Sequence, residues 1–169
     1  GRRAWPVVAT VALAFGALTA RRNRASRSAL ALWNDTVAKQ PGSARAHYNF
    51  GVVLAREGRI PAAAAQFEAT LHLDPAHYGA HTNPANAFAS IGRAAEAVPH
   101  YEAALRLQPD VATVRANFAT VLLRLGRPAE AEPQARLAVK QAPTDAIAHH
   151  TLGLVLRRLG RTAEEIACF

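Results

Sequence analysis

The chain has 169 residues, of which 50% are apolar and 19% are charged, with one cysteine and no methionine. This length suits one or two domains, and a single cysteine excludes an internal disulfide. The formal net charge is +8, but six arginines precede residue 28, and from there fourteen basic residues face all twelve acidic ones. The basic residues form neither a dense run nor an aromatic-interleaved patch beyond that point, so no nucleic-acid partner is predicted.

An uncharged apolar stretch, 4–20, lies between arginines at both ends. As a helix it would span about 25 Å, slightly less than the roughly 30 Å core of a bilayer. Flanking arginines are typical of membrane edges, so a transmembrane helix over 4–20 is the first interpretation, and it predicts a membrane-anchored protein. A signal-peptide core and a buried helix of a soluble protein remain alternatives. The arginines that follow the stretch favour a cytoplasmic C-terminal side, but the sequence leaves the orientation open.

Residues 29–40 read ALALWNDTVAKQ and follow a short basic connector. Leu30, Trp33 and Val37 recur at helical spacing, which predicts one amphipathic helix that ends before Pro41. Three segments are therefore expected: 1–27 as the membrane helix with its basic flank, 28–43 as a lone capping helix with a linker, and 44–169 as a repeat region.

The repeat region is defined by small residues, glycines and prolines that return every 34 residues. They are Gly51, Ala85, Ala119 and Gly153; Gly58, Gly92, Gly126 and Gly160; and Pro75, Pro109 and Pro143. A small residue lets two helices approach closely, a glycine allows a left-handed helix end, and a proline terminates the next helix. The period predicts helix pairs at 44–57 and 61–74, 78–91 and 95–108, 112–125 and 129–142, then 146–159 and a partial helix from about 162.

On these motifs the chain resembles the tetratricopeptide-repeat family, with three full copies and a truncated fourth. The resemblance implies an all-α superhelix in which stacked pairs share a continuous core. In the second copy Pro84 occupies a helix position that holds Phe50, Phe118 and Leu152 in the others. Because a helical proline clashes with the carbonyl four residues back, we expect this helix to start late or to kink.

The N-terminal junction also resembles that of membrane glycosyltransferases of the O-mannosyltransferase type, which carry such repeats at their C-terminus. The matching residues are Thr19, Arg22, Asn23, Leu32, Trp33, His47, Tyr48 and Asn49. This resemblance implies a catalytic membrane part upstream, so the chain would be a piece of a longer protein. The chain itself offers no nucleophile–base pair and no nucleotide-binding glycine loop, so it is not predicted to be an enzyme, and no cofactor is predicted.

The in-phase histidines His47, His81 and His149 invite a metal interpretation. Equivalent positions of neighbouring repeats are at least 8–10 Å apart, whereas zinc ligands must approach one ion to about 2.0–2.3 Å. Packing histidines are therefore expected, and no metal is predicted.

The expected partner is a protein or peptide held in the inner groove that the first helix of each pair lines. Asn49, Asn83 and Asn117 recur in phase, and the resemblance implies an asparagine ladder whose free amides bind a peptide backbone; a purely structural role for these asparagines is the alternative. Further inner-face residues complete the predicted site. They are Arg45, Tyr48, Val52, Arg56, Thr82, Asn86, Thr120, Arg124, Leu154 and Arg158. The arginines favour a partner with acidic character.

Three functions follow as hypotheses. The first is a membrane-tethered interaction scaffold. The second is the substrate-recruiting tail of a membrane glycosyltransferase, and the third is a secreted or periplasmic repeat protein after signal cleavage. The sequence upstream of residue 1 would separate the first two, and N-terminal sequencing of the mature protein would reveal the third.

Overall fold

The computed structural model describes residues 19, 27–161 and 163–164. After helix α1 (27–39), seven helices follow one another without a strand in the described part of the chain. They are α2 (Ala44–Arg56), α3 (Ile60–Leu73), α4 (Tyr78–Ser90), α5 (Ala94–Leu107), α6 (Ala112–Arg124), α7 (Pro128–Gln141) and α8 (Ala146–Arg158). Each predicted helix of the repeat region that falls within these residues is present, with bounds that differ by at most one residue, so the predicted all-α repeat architecture is confirmed.

The 34-residue period appears in the positions at which the helices start. The first helices of the four copies, which we call the A helices, begin at Ala44, Tyr78, Ala112 and Ala146, one 34-residue step apart. The expected late start of α4 is therefore wrong: the ring nitrogen Nδ1 of His77 accepts a hydrogen bond from the Ala80 amide at 3.1 Å and caps the helix on register. Pro84 then lies inside a continuous helix.

Each A helix ends in the same hydrogen-bonded turn around a glycine. Gly58, Gly92, Gly126 and Gly160 have φ between 71° and 81°, a left-handed conformation that glycine adopts without steric cost. At the first of these turns the Arg59 amide donates to the Leu54 carbonyl at 2.9 Å and the Gly58 amide donates to the Ala55 carbonyl at 3.0 Å, which is a Schellman motif. The turn reverses the chain so that the second helix, the B helix, packs back against the first.

The core lies between the A and B helices. Ala63, Ala97 and Ala131 are at most 1% exposed at the helix crossings. In the first pair the Phe67 ring comes so close to Gly51 that a Cβ there would lie 2.8 Å from Cε1 of the ring. Glycine at this position is therefore required by the neighbouring aromatic ring, and the pair sets the packing of α2 on α3.

The in-phase histidines fix the turn between one repeat and the next. Nε2 of His47, His81 and His149 lies 3.0, 3.1 and 2.8 Å from the carbonyl oxygen of the proline six residues upstream. Arg115 replaces histidine in the third copy, and its Nε donates to the Pro109 carbonyl at 3.0 Å. Since a carbonyl can only accept, Nε2 of each histidine is the donor. These side chains hold the B-to-A turn, which gives the predicted packing histidines a specific structural role.

The predicted membrane span at 4–20 lies outside the described residues except for Thr19. Among the described residues, no helix combines the length and apolar character needed to cross a membrane. The predicted partial helix from about 162 also lies largely outside them, apart from the helical residues 163–164.

Candidate functional site

The A helices line one groove that consists of three connected depressions. The first, of about 470 Å³, lies between α2 and α4 and shares Asn86 and Ser90 with the second. The second, of about 260 Å³, lies between α4 and α6 and shares Thr120 and Arg124 with the third. The third, of about 330 Å³, lies between α6 and α8. Because neighbouring depressions share lining residues, they form one continuous groove across four repeats.

Two repeat positions supply the lining throughout. The first holds Val52, Asn86, Thr120 and Leu154, and the second, one helical turn later, holds Arg56, Ser90, Arg124 and Arg158. Residues four apart lie on the same face of a helix, so the 34-residue period brings both sets to one surface.

Most of the predicted site residues lie in this groove, but three do not. Tyr48, Asn83 and Asn117 line it together with the two sets above. Asn49 and Arg45 line none of the three depressions. Thr82 is only 7% exposed, and its hydroxyl donates to the Tyr78 carbonyl at 3.3 Å, so it belongs to the helix interior.

The predicted ladder of unengaged asparagine amides is wrong for Asn83 and Asn117. The Asn83 side-chain nitrogen donates to the Tyr48 hydroxyl at 3.1 Å, which links α4 to α2. The Asn117 side-chain nitrogen donates to Oδ1 of Asn86 at 3.2 Å, which links α6 to α4. Asn49 makes no side-chain hydrogen bond to a described residue, but it lies outside the groove. Asn83 and Asn117 therefore connect neighbouring repeats.

Asn86 lies where the first and second depressions meet. Its Oδ1 accepts from Asn117 and also from the Tyr101 hydroxyl at 2.7 Å. Tyr101 is 1% exposed, and burial raises the pKa of its phenol to about 12, partly offset by the positive charge of Arg124. The phenol is therefore a permanent donor near neutral pH, which keeps the Asn86 oxygen occupied and turns the two N–H groups of this amide away from it. Neither N–H meets an acceptor among the described residues.

Tyr48 lines the first depression and makes contacts that the sequence did not predict. Its ring lies 4.4 Å from that of His77, measured between centroids, and 6.0 Å from that of Phe67. A Cβ on Gly79 would lie 2.6 Å from the Tyr48 hydroxyl oxygen, so only glycine leaves room for this side chain. Gly79 is the out-of-phase glycine of the repeat region, and that irregularity was the available signal.

Charge is divided between the two layers of helices. The A helices carry six arginines and no acidic residue, whereas the B helices α3, α5 and α7 each carry at least one acidic residue. In the groove the Arg124 guanidinium donates to the Ala89 carbonyl at 2.8 Å, which leaves its charge uncompensated. Arg56 and Arg158 are exposed and pair with none of the described residues. The groove therefore presents a positive surface.

Several groove residues were not predicted, among them Ser90, Ala89, Leu123 and Arg157. Ser90 and Ala89 line the second depression, while Leu123 and Arg157 line the third. Their positions follow from the same 34-residue step as the predicted residues, which was the signal that could have found them. Within the described residues, no group of three or more histidine, cysteine or acidic side chains is placed to hold a metal ion.

Two family models, both described as tetratricopeptide repeat, match the sequence. One matches residues 16–78 and 54–112, and the other matches residues 89–154. The chain belongs to the tetratricopeptide-repeat family. The first match starts upstream of the predicted capping helix at 29–40 and includes the end of the apolar stretch.

Solved structures of similar fold include other tetratricopeptide-repeat proteins. A double mutant of MamA from strain RS-1 has a TM-score of 0.81 at 21% identity, over 94% of this chain and 90% of that one. A MamA fragment from Desulfovibrio magneticus RS-1 has a TM-score of 0.80 at 20% identity, over 90% and 86% of the two chains. YrrB, described as a TPR protein with an unusual peptide-binding site, has a TM-score of 0.72 at 24% identity, over 80% and 70%. At these identities the likeness shows the fold. A comparison with curated protein sequences gave no match, and the resemblance to a glycosyltransferase junction gains no support from these comparisons.

Proposed function

We propose that this tetratricopeptide-repeat chain is a binding module that holds an extended peptide segment of a protein partner in the groove of its A helices. The observation that carries the proposal is the amide group of Asn86. Its oxygen is occupied by Tyr101 and Asn117, and its two N–H groups are left for a ligand. Tetratricopeptide repeats typically act as protein-interaction scaffolds, and the likeness to YrrB is consistent with a peptide ligand.

An extended peptide suits such a groove for a physical reason. Its backbone carries a carbonyl acceptor and an N–H donor at each residue, and groups that are buried without partners cost about 1–3 kcal/mol each. Asn83 and Asn117 each use one N–H internally and keep an oxygen and a second N–H, so together with Asn86 they offer both donors and acceptors. Backbone recognition of this kind is independent of the peptide's side chains.

We predict that Asn86→Asp weakens peptide binding by about ten-fold or more while the fold is kept. The carboxylate retains an acceptor for Tyr101 and Asn117, but it removes both N–H donors and repels peptide carbonyls, and a hydrogen bond is worth about 0.5–1.5 kcal/mol. Peptides of twelve residues are selected from a random phage-displayed library against the wild-type chain. They are then titrated calorimetrically against both proteins.

The matched control is Asn34→Asp, the same chemical change at an exposed position of α1 outside the groove. It is expected to leave the affinity within two-fold of the wild type. Circular dichroism and thermal unfolding check that Asn86→Asp is folded. Equal affinity of the wild type and a folded Asn86→Asp protein, or a selection that yields no groove-binding peptide, would contradict the proposal.

We further propose that residues 4–20 anchor the module to a membrane. The support is the uncharged stretch with arginines at both ends. We predict that the chain stays in the membrane pellet after carbonate extraction, whereas the double variant Val11→Asp and Leu13→Asp is released, because each central acidic residue costs about 2.5–3.5 kcal/mol on insertion. Wild type and variant in the same fraction would refute the anchor.

The N-terminal junction, which includes Trp33, would also fit the substrate-recruiting tail of a membrane glycosyltransferase. The sequence upstream of residue 1 would reveal whether a catalytic part precedes this chain.

A further inference from the structure

We propose that the ligand of this groove is an acidic segment with one bulky apolar residue. The apolar residue would occupy the depression between α2 and α4, and the carboxylates would bind at the depression between α6 and α8. This inference rests on the proposed peptide-binding function and specifies its ligand. It is carried by the unequal chemistry of the two ends of the groove.

The end between α2 and α4, which we call the anchor pocket, has an apolar floor and a single charged lining residue. Phe67 and Ile60 form its floor at 1% and 7% exposure, and Val52 and Ala87 contribute to its walls. Its volume of about 470 Å³ lies within the 300–1,000 Å³ that is usual for ligand pockets, and it is the largest of the three depressions. Arg56 is its one charged lining residue. A leucine or phenylalanine side chain of a ligand would bury its surface here.

The end between α6 and α8, which we call the arginine end, has three cations. Arg124, Arg157 and Arg158 line a depression of about 330 Å³ together with Thr120, Leu123 and Leu154. Arg124 is bonded to a neutral carbonyl, and Arg158 has no partner among the described residues. A guanidinium fork binds a carboxylate through two parallel hydrogen bonds, which makes a carboxylate the preferred neutralising group.

The lack of a carboxylate partner for Arg124 and Arg158 among the described residues contrasts with the outer edge of the repeats. There Arg93, Arg127 and Arg161 each pair with the glutamate three residues later. The chain therefore provides an internal carboxylate for arginines at one repeat position, while none of the described residues that line the groove is acidic. A ligand that brings its own carboxylates is the complement that this surface lacks.

The distance between the two ends sets the spacing of the ligand. The anchor pocket and the arginine end are two A-helix spacings apart, which is about 16–20 Å when neighbouring helices pack at 8–10 Å. Extended chain advances about 3.3 Å per residue, so roughly five or six residues separate the apolar residue from the carboxylates. The expected ligand therefore has one bulky apolar residue and carboxylates roughly five or six residues away from it.

The test uses fluorescein-labelled peptides and fluorescence anisotropy with the whole chain. The reference peptide has a leucine, five glycine and serine residues and three glutamates. Its three relatives have glutamine for each glutamate, serine for the leucine, or a spacer of one residue. We expect each relative to bind at least ten-fold more weakly than the reference. Added KCl should lower the affinity of the reference peptide and leave the affinity of the glutamine peptide nearly unchanged, because salt screens exposed ionic contacts.

Protein variants assign the two ends. Arg158→Gln is expected to lower the affinity for the reference peptide three- to ten-fold and to leave the affinity for the glutamine peptide unchanged. Val52→Asn is expected to lower the affinity for the reference peptide by a similar factor and to leave the affinity for the serine peptide unchanged. The control is Arg106→Gln on α5, an exposed arginine of a B helix that lies outside the groove, and it should bind like the wild type.

Several results would overturn the inference. If the glutamate and glutamine peptides bind equally while phage-selected peptides still bind, the acidic ligand is contradicted but the proposed peptide-binding function is not. If no designed or selected peptide binds, both the acidic ligand and the peptide-binding function are contradicted. Tighter binding of single-stranded RNA, or of vesicles that contain phosphatidylserine, with the same loss in Arg158→Gln, would assign the groove to another class of partner.

Discussion

Replacement of Phe67 by alanine is expected to lower the free energy of unfolding by about 3–5 kcal/mol, the usual cost of truncating a buried aromatic side chain. Phe67 is 1% exposed and packs with Leu54, Ala63 and Ala80. The ring also faces Gly51, which has no side chain that could move into the vacated space. The cavity should therefore stay open, and the cost should lie at the upper end of this range.

A double-mutant cycle tests this packing. Gly51→Val alone should destabilise the chain by about 1–3 kcal/mol, because its Cβ would lie 2.8 Å from the Phe67 ring. Combined with Phe67→Ala, the same valine should fill part of the cavity, so the double variant is expected to be more stable than the sum of the two single changes predicts. Urea unfolding followed by circular dichroism gives all four values.

The control is Leu73→Ala in the same helix, where the leucine is 41% exposed. It should cost well under half as much as Phe67→Ala, since little apolar surface is lost. A Phe67→Ala effect as small as that of Leu73→Ala, or strict additivity in the cycle, would contradict the packing of α2 on α3 described above.

Pro84→Leu is expected to raise the free energy of unfolding by about 1–3 kcal/mol. Proline inside a helix costs about 3 kcal/mol, because it lacks an N–H and clashes with the carbonyl four residues back, here that of Ala80. Leucine restores the hydrogen bond to Ala80. The position also accepts a larger side chain in other copies, where Phe118 and Leu152 are only 5% and 6% exposed. Urea unfolding and the melting temperature of the whole chain measure the gain.

A proline at a favourable helix position supplies the comparison. Pro61 is exposed in the first turn of α3, where the missing N–H needs no partner within the helix. Pro61→Ala is therefore expected to change stability by no more than about 1 kcal/mol, with a loss rather than a gain. A decrease in stability on Pro84→Leu would mean that the core has closed around the smaller ring, since Pro84 is fully buried.

The sequence by itself determined the helices and their ends. A period of 34 residues placed every A and B helix of the described region within one residue, because glycines such as Gly58 and prolines such as Pro75 act on the backbone through local steric effects. It also determined the groove positions of Arg56, Arg124 and Arg158, since a period fixes which residues share a face. The start of α4 was the local exception: the expected late start is absent, and the His77 side chain caps the helix on register.

Only the tertiary structure decided what the asparagines do. Asn83 and Asn117 are equivalent in the repeat, but one meets the Tyr48 hydroxyl and the other meets Asn86. A period gives the direction of a side chain and not its partner, because the partner comes from a neighbouring repeat whose residues differ from copy to copy. Tyr48 reaches α4 since Gly79 leaves space for it. The amide N–H groups that stay unpaired in the groove are those left over after these contacts between repeats. The sequence of a single repeat does not show which groups these are.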